Sequence, residues 1–550
     1  MQVAPRQKLA TLSQDLRCLF WEVCQRPISA FGGSTMNSTI AASVRPAAAD
    51  ETRPYTGAEY LDSIRADGRE VWLDGERVED VVSHPAFRNS ARMIARLYDA
   101  LHDDSRAAIL RVRLEHGNGW THPGFQAPRT LEQSLQQKAA YAEWARIGYG
   151  WLGRSPDFIG ASFAPSFWIS SDHFGEYASN ARRMAKGLRE NVEFWGHAIV
   201  NPPIDRSSPQ SAKDIMVRVE KETDAGIFVS GAKVVATGTV LSQKILIAHH
   251  FIPVTDKKYS PVFVVPVKAP GVKLYCRRSY EQVAAQSATP FDAPISSRCD
   301  ENDSILVLDN VFVPWEDVLM YDAERANTFM AVPGQAARGL MQAGTRMAVK
   351  LDFICGLFMK AVEIGGTKDF RGVQAAVGEA IAARHTIWAI MEALARDLQP
   401  WGDGYLQPSM VHGHAYRVIA ADMYSSIRQN ILKHVASGLI YLPSSSRDYL
   451  NPEVRPMLDA YARGSNGIDS ETRSKLLKLL WDTVGSEFGS RHELYEMNYA
   501  GSQEQVRVDQ YLRSFQNGTA SQMLGLVDKC LGEYDLNGWT VSDLKDAGNA

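Results

Sequence analysis

Cysteine is scarce in this 550-residue chain: Cys18, Cys24, Cys276, Cys299, Cys355 and Cys530 are scattered, and no C-x-x-C occurs. That argues against a disulfide framework or a structural zinc site and fits a reducing compartment. No run approaches eighteen consecutive apolar residues, so no membrane-spanning helix is expected. Long basic runs are missing too, and the net charge is −4, which leaves nucleic-acid and membrane-surface roles without electrostatic support. The nucleotide signatures fail: there is no G-x-x-x-x-G-K-[ST], and Gly117-Asn-Gly119 runs on into Trp, Thr and His122. H-E-x-x-H and G-x-S-x-G are also absent. His412-Gly-His414 has no carboxylate or cysteine beside it and reads as a surface loop, so no metal is expected.

The first residues carry Arg6, Lys8, Arg17 and Arg26, but Cys18-Leu-Phe-Trp21 is too short for a signal-peptide core. Residues 1–52, rich in Ser, Ala, Thr and Gly from 27 onward, read as a flexible leader, with Met36 as a second candidate start. A cytoplasmic protein is the expectation.

What is present is ordinary for a globular chain, 45% hydrophobic and 22% charged, and long enough for more than one domain. Residues 53–195 are mostly helical in pattern: Met93, Ile94, Leu97 and Leu101 form one stripe, Leu131 to Ile147 a second window and Asn180 to Phe194 a third. From about 214 the period shortens to two. Ile215 to Glu220 alternates, Thr223-Asp-Ala-Gly226 marks a turn, and β-rich runs follow at Ile227 to Ser230, Lys233 to Val240, Lys244 to Ala248, Pro261 to Val267 and Ser304 to Val313. After Pro333 the helical period returns, with Val373 to Leu394, Ala415 to Val435 and Thr472 to Val484 as long windows that suggest an antiparallel bundle. The expected division is a helical domain over 53–195, a β domain over 196–325 and a helical bundle with its tail over 326–550.

Two segments stand out chemically. Gly153-Arg-Ser-Pro-Asp-Phe158 offers a fixed cation and an aromatic ring that share a face if a helix starts at Ser155 or Pro156. Gly196-His-Ala-Ile-Val-Asn-Pro-Pro-Ile-Asp-Arg206 adds an imidazole. Guanidinium, ring and imidazole could seat a phenol that must ionise. A helix-start arginine paired with Asp157, beside a core histidine, is the plainer reading.

These stretches, with others, resemble the 4-hydroxyphenylacetate 3-monooxygenase family, the large oxygenase components of two-component flavin hydroxylases. The matching segments include Arg53-Pro-Tyr-Thr-Gly-Ala-Glu-Tyr60, His84-Pro-Ala-Phe-Arg-Asn89, Val229-Ser-Gly-Ala-Lys-Val-Val-Ala-Thr237 and Asp300-Glu-Asn-Asp303. Asp309-Asn-Val-Phe-Val-Pro-Trp-Glu-Asp-Val318 and Gly485-Ser-Glu-Phe-Gly-Ser-Arg-His-Glu-Leu-Tyr495 continue the series, which spans residue 52 to about 540. The resemblance implies an α+β, acyl-CoA dehydrogenase-like fold: a helical domain, a central β domain and a C-terminal four-helix bundle, assembled as a homotetramer. It also implies an FADH2-dependent monooxygenase that ortho-hydroxylates a phenol through a C4a-hydroperoxyflavin. O2 is the co-substrate, and a separate NAD(P)H:flavin reductase supplies the reduced FAD.

By the same resemblance, Arg154 holds the phenol oxyanion and His197 acts as base or hydrogen-bond partner beside the flavin, with Phe158 as their substrate-binding companion. Phe158 is a departure, since the 4-hydroxyphenylacetate enzymes typically carry Tyr there; Gly196 is another, where the family often has Asn. A differently substituted phenol, including one that loses a halo or nitro group, becomes the expectation. Flavin contacts are implied at Pro203, Ile204, Asp205, Arg206, at Thr237 or Thr239, and at Gly489, Ser490, Arg491 and His492. For Arg491 and His492, surface pairing with Glu487 or Glu493 is the alternative. His249 and His250 lie where the family has a mobile loop over substrate: a solvated hairpin tip, or a contact to the substrate's far end. The rival readings on this scaffold are a dehydratase, whose iron–sulfur cluster needs a C-x-x-x-C that is absent here, and an acyl-CoA dehydrogenase.

Overall fold

The computed structural model describes residues 51–204, 207, 213–249, 253–499 and 501–544. Residues 1–50 of the expected leader, with Met36, and Asp205, Arg206 and His250 lie outside the described residues. Thr52 pairs with Gly119, donating its N–H to Asn118 and accepting from Trp120.

The helices of the first part form where spacing and caps agree. Thr56 and Glu59 make a capping box that opens Gly57–Ile64. Arg88–His102 buries Met93, Ile94, Leu97 and Leu101 on one face. Pro156–Ile169 starts at an extended Ser155 with Pro156 in the first turn, where the missing N–H costs nothing. Ala178–Asn191 stops at Val192, which sits at φ +53°.

Two sheets follow. The six-stranded sheet runs, by neighbour, Glu76–Val78, Glu70–Leu73, Val272–Cys276, Ser304–Pro314, Gly226–Lys233 and Arg218–Thr223. Two of its strands therefore come from the stretch that reads as helical, because the short Leu73-Asp-Gly-Glu76 hairpin is hidden among helical periods. The long strand Ser304–Pro314 pairs antiparallel with Gly226–Lys233 and shifts register between Leu308 and Val311, where Asn310 takes φ +52°. The four-stranded sheet runs Val318–Met320, Val262–Pro266, Lys244–Ile247 and Trp195–Ala198. Trp195–Ala198 is its edge, parallel to Lys244–Ile247, with His197 opposite Leu246. The β-rich reading of Lys233 to Val240 ends differently: the strand stops at Lys233, Val235 takes φ +57°, and Thr239–Leu241 forms a 3-10 turn.

Gln335–Ile364, buried along most of its 30 residues, packs on Arg371–Arg396, Met410–Val435 and the earlier helices; Glu487–Asn498 packs on Met410–Val435. The helical, sheet, helical order is the one expected for this chain. His412 and His414 sit inside the Met410–Val435 helix rather than in a loop. Two residues apart, they face different sides: His412 meets Asp397 at 3.0 Å while His414 is buried.

Candidate active site

Three segments converge on one spot. Arg154 lies just before the N-cap of Pro156–Ile169, so the helix does not carry it; instead its backbone N–H donates to the Glu301 carboxylate. Its guanidinium lies 4.0 Å from the centre of the Phe158 ring, and that ring lies 5.5 Å from the His197 imidazole. Arg154, Phe158 and His197 are each partly exposed while most of their chain neighbours are buried, which is the pattern of side chains lining a cleft. Asp157 does not pair with Arg154. It is buried and accepts a hydrogen bond from the Ser155 hydroxyl, and burial pushes its carboxyl up to about 6.

The bundle supplies a fourth member. Tyr495 Oη accepts from Arg154 Nη1 at 2.6 Å, and the Tyr495 ring lies 5.0 Å from the same guanidinium. Gly153 permits this approach, since a Cβ there would meet Tyr495 Oη at 2.4 Å. His197 is held neutral: desolvation first, and then the Arg154 charge, lower its pKa to about 3. Its Nδ1 is buried without a hydrogen-bond partner among the described residues.

The predicted flavin contacts divide into two groups. Thr237 Oγ1 donates to Asp303 at 2.6 Å, and Arg491 grips Asp303 with two bonds of 2.9 and 2.6 Å. Arg277 adds a second cation, 2.9 Å from Asp303 and 2.7 Å from Asp300. Despite burial, Arg491 and Arg277 hold the Asp303 carboxyl well below its usual range. Arg491 therefore pairs with Asp303 and approaches Glu301, not Glu487 or Glu493, which bind Arg278 and Arg428. Gly489 is set by packing: its N–H caps to Ser486, and a Cβ would meet the Thr483 carbonyl at 2.6 Å. Ser490 Oγ accepts from Arg428.

His492 is buried between Trp151 and Phe488, and desolvation with neighbouring Lys350 and Arg491 keeps it neutral. Behind it Arg346, Lys350 and Glu496 form an enclosed ionic triad, with Arg346 Nη2 and Lys350 Nζ at 2.8 and 2.9 Å from Glu496. Pro203 and Ile204 are exposed. The chain leading to them is anchored by Lys233, whose buried Nζ donates to Asn201 Oδ1 at 2.8 Å and to the Ile199 carbonyl at 3.3 Å. His249 is buried and bonds the Pro261 carbonyl at 3.0 Å, so it is not part of a solvated tip.

A flavin fits the polar atoms that this arrangement leaves over. Buried Arg154 Nε, His197 Nδ1, Thr239 Oγ1, Arg491 Nη1 and His492 Nε2 have no hydrogen-bond partner among the described residues. Buried polar atoms are rarely left so, and here they belong to the segments that meet at Glu301 and Gly196. A Cβ on Gly196 would lie 2.8 Å from Thr239 Oγ1, and one on Gly238 would lie 3.6 Å from Arg154 Cβ, which places the Gly238-Thr239 turn between the two substrate segments. Tyr495, Glu301, Asp303 and Lys233 lie within motifs the sequence displays, yet spacing alone assigns them no role.

Residues 56–320 match the family described as 4-hydroxyphenylacetate 3-hydroxylase N terminal, and residues 326–531 its C-terminal counterpart. The chain is 48% identical to the oxygenase component of 4-nitrophenol 2-monooxygenase from a Rhodococcus species, over 90% of this chain and 95% of that one. It is 47% identical, over 90% and 94%, to the (3S)-3-amino-3-(3-chloro-4-hydroxyphenyl)propanoyl-[peptidyl-carrier protein SgcC2] monooxygenase of Streptomyces globisporus. Among solved structures, the oxygenase component of 4-hydroxyphenylacetate 3-monooxygenase complexed with FAD and 4-hydroxyphenylacetate superposes with a TM-score of 0.80 at 30% identity, covering 87% of this chain and 99% of that one. With both halves matched and close relatives aligned along nearly their whole length, the chain belongs to the 4-hydroxyphenylacetate 3-hydroxylase family and is the oxygenase component of a flavin-dependent aromatic monooxygenase.

Proposed function

We propose that the protein hydroxylates a phenol ortho to its hydroxyl, with Arg154 and His197 holding the phenolic oxygen. The observation that carries this is the Arg154 guanidinium 4.0 Å from Phe158, with the neutral imidazole of His197 on the ring's other neighbour contact. A phenol of pKa about 10 is almost wholly protonated at pH 7. A cation beside its oxygen favours the phenolate, and ionisation pushes electron density onto the ortho carbon. His197, uncharged above about pH 3, offers its unpartnered nitrogen to the phenolic proton.

Reduced FAD with O2 supplies the electrophilic oxygen when bound. Thr239, Arg491 and His492 are the residues that would hold the ring, through their unpartnered polar atoms, and Pro203 and Ile204 line its approach. Thr237 supports the site indirectly, by fixing Asp303 and with it Arg491. The pairing of Tyr495 with Arg154 keeps the guanidinium aimed at the cleft.

Phe158 favours a substrate other than 4-hydroxyphenylacetate, because it cannot donate to the phenolic oxygen. The relatives named for a nitrophenol and a chlorophenol support a ring-substituted phenol as substrate; hydroxylation with loss of that substituent is the second reading. A separate NAD(P)H:flavin reductase is the proposed partner. A homotetramer is the proposed assembly: the C-terminal helices Gln503–Gln516 and Thr519–Leu531 expose Tyr511, Leu512, Leu524, Leu526 and Val527, more apolar surface than a lone chain ordinarily leaves in water. No helix among the described residues is long and apolar enough to cross a membrane.

The test mixes protein, FADH2 and O2 with a panel of phenols and follows products by mass spectrometry. Arg154→Ala is expected to lose product while retaining flavin affinity. If no phenol gains oxygen, or if Arg154→Ala loses flavin and product together, the assignment is wrong.

A further inference from the structure

A second cavity, of about 660 Å3, opens among the Arg88–His102 helix, the Pro290–Arg298 loop, Tyr149, Phe353 and the Ser470–Leu480 helix. That volume lies within the roughly 300–1,000 Å3 of small-molecule sites. Neither Arg154, Phe158 nor His197 lines it.

Its charge is one-sided. Arg92, Arg96, Arg298 and Lys475 line the cavity, no acidic residue does, and none of the four makes an ion pair among the described residues. Arg92 donates to the carbonyls of Arg88 and Val82, and Arg96 donates to Met93 Sδ at 3.7 Å. Arg298 Nε is buried with no hydrogen-bond partner among the described residues. Asp482 stands nearby, but its Oδ2 accepts from the Ile295 and Ser296 backbone N–H groups. Arg92, Arg96 and Lys475 are solvent-exposed, and the Asp482 carboxylate offsets part of the Arg298 charge, but the wall of the hollow itself offers an incoming anion cations and no carboxylate.

The walls between the cations are aromatic. The Arg298 guanidinium lies 5.2 Å from the Tyr149 ring centre, and that ring meets Phe353 at 5.4 Å. Tyr149 is held at φ +54°, a backbone state that costs a bulky L-residue energy and is retained where surrounding structure imposes it. Gly150 beside it, at φ +78°, is pinned against the Lys350 backbone, since a Cβ would sit 2.5 Å from that nitrogen. The turn thus presents the Tyr149 ring to the cavity.

We infer that this cavity binds a nucleotide: its cations take the phosphates, and Tyr149 with Phe353 or Phe291 takes the base. Guanidinium groups bind phosphate oxygens in pairs, and aromatic faces stack bases without demanding one base over another. The same chemistry is carried by the adenosine diphosphate end of FAD and by a free nucleotide.

Calorimetric titration of the full chain with ADP tests this without any assay of hydroxylation, so its failure is separate from failure of the monooxygenase reading. The comparison is the double variant Arg96→Glu with Lys475→Glu, two exposed positions whose reversal leaves the core alone. ADP is expected to bind, to weaken with added salt, and to bind about tenfold or more weakly to the variant. If ADP competes with FAD but not with FMN, the cavity takes the cofactor's own adenosine end. If it binds without displacing either flavin, the ligand is a separate nucleotide. Absence of binding at millimolar ADP, or equal binding by the variant and the unaltered chain at matched thermal stability, overturns the inference.

Discussion

Replacing Tyr495 by Phe removes one oxygen atom and asks whether the arginine works alone. In the structure Tyr495 Oη accepts from Arg154 Nη1 at 2.6 Å, while the ring stacks on Tyr499 at 5.5 Å and sits 5.0 Å from the guanidinium. Phe keeps the stack and the cation–π contact, so the change isolates the hydrogen bond. A hydrogen bond to a charged group contributes about 1.5–3 kcal/mol. If it serves to aim Arg154 at the phenolic oxygen, kcat/KM for phenol hydroxylation falls by roughly 10- to 150-fold. Affinity for FADH2 should change little, because Arg491 and the segments around Thr239 are untouched. Stopped-flow oxidation of the reduced protein, with catechol product quantified per flavin consumed, separates the two effects. Product per flavin should drop while flavin oxidation continues. A variant with unchanged product yield would refute the claim that Tyr495 positions Arg154. Equal loss of flavin binding would move Tyr495 from the substrate side of the site to the cofactor side.

Phe158→Tyr restores the donor typical of 4-hydroxyphenylacetate enzymes; turnover of 4-hydroxyphenylacetate should rise about 2- to 12-fold, from a bond of roughly 0.5–1.5 kcal/mol, and competition between phenols in one reaction reads it. Because burial and Arg154 depress His197 to about 3, the imidazole is neutral from pH 8 down to about 4, and kcat/KM should carry no ionisation from it near 6.5. An inflection near 6.5 that disappears in His197→Asn would show that the folded protein does not depress this group. Glu496→Gln strips the shared partner from buried Arg346 and Lys350 and should cost about 3–5 kcal/mol in urea unfolding, since two enclosed cations lose their carboxylate contact. A loss below about 1 kcal/mol would mean the triad is wetter than its geometry indicates.

The periodic parts of the chain were legible in one dimension because burial repeats with the element. Leu131–Ile147 has the bounds that spacing predicts, and Met93, Ile94, Leu97 and Leu101 are buried as one stripe. Short irregular pieces were not. The hairpin of Glu70–Leu73 with Glu76–Val78 joins a sheet whose next strand lies about two hundred residues away, and no local pattern announces such a partner. His412 and His414 read as a surface loop on the lack of a carboxylate or cysteine beside them, which tests for a metal site and not for backbone conformation; both lie in the Met410–Val435 helix, whose packing outweighs the poor helix propensity of Gly413.

The sequence by itself determined the residue types and motifs of the site: a cation and ring flanking a helix start, an imidazole on a strand, and a glycine-rich bundle segment, in the order that marks the family. Only the tertiary structure decided what those groups do to one another. Asp157 turns inward to Ser155, which leaves Arg154 for Tyr495, 341 residues away, and for the cleft. Arg491, on the Glu487–Asn498 helix, is drawn to the Asp303 carboxylate just ahead of the Ser304–Pro314 strand, and His197 loses its charge because burial and Arg154 together exclude a second cation. Hydrogen bonding and desolvation depend on distance in space, and separations of hundreds of residues carry no trace of that distance in the chain itself.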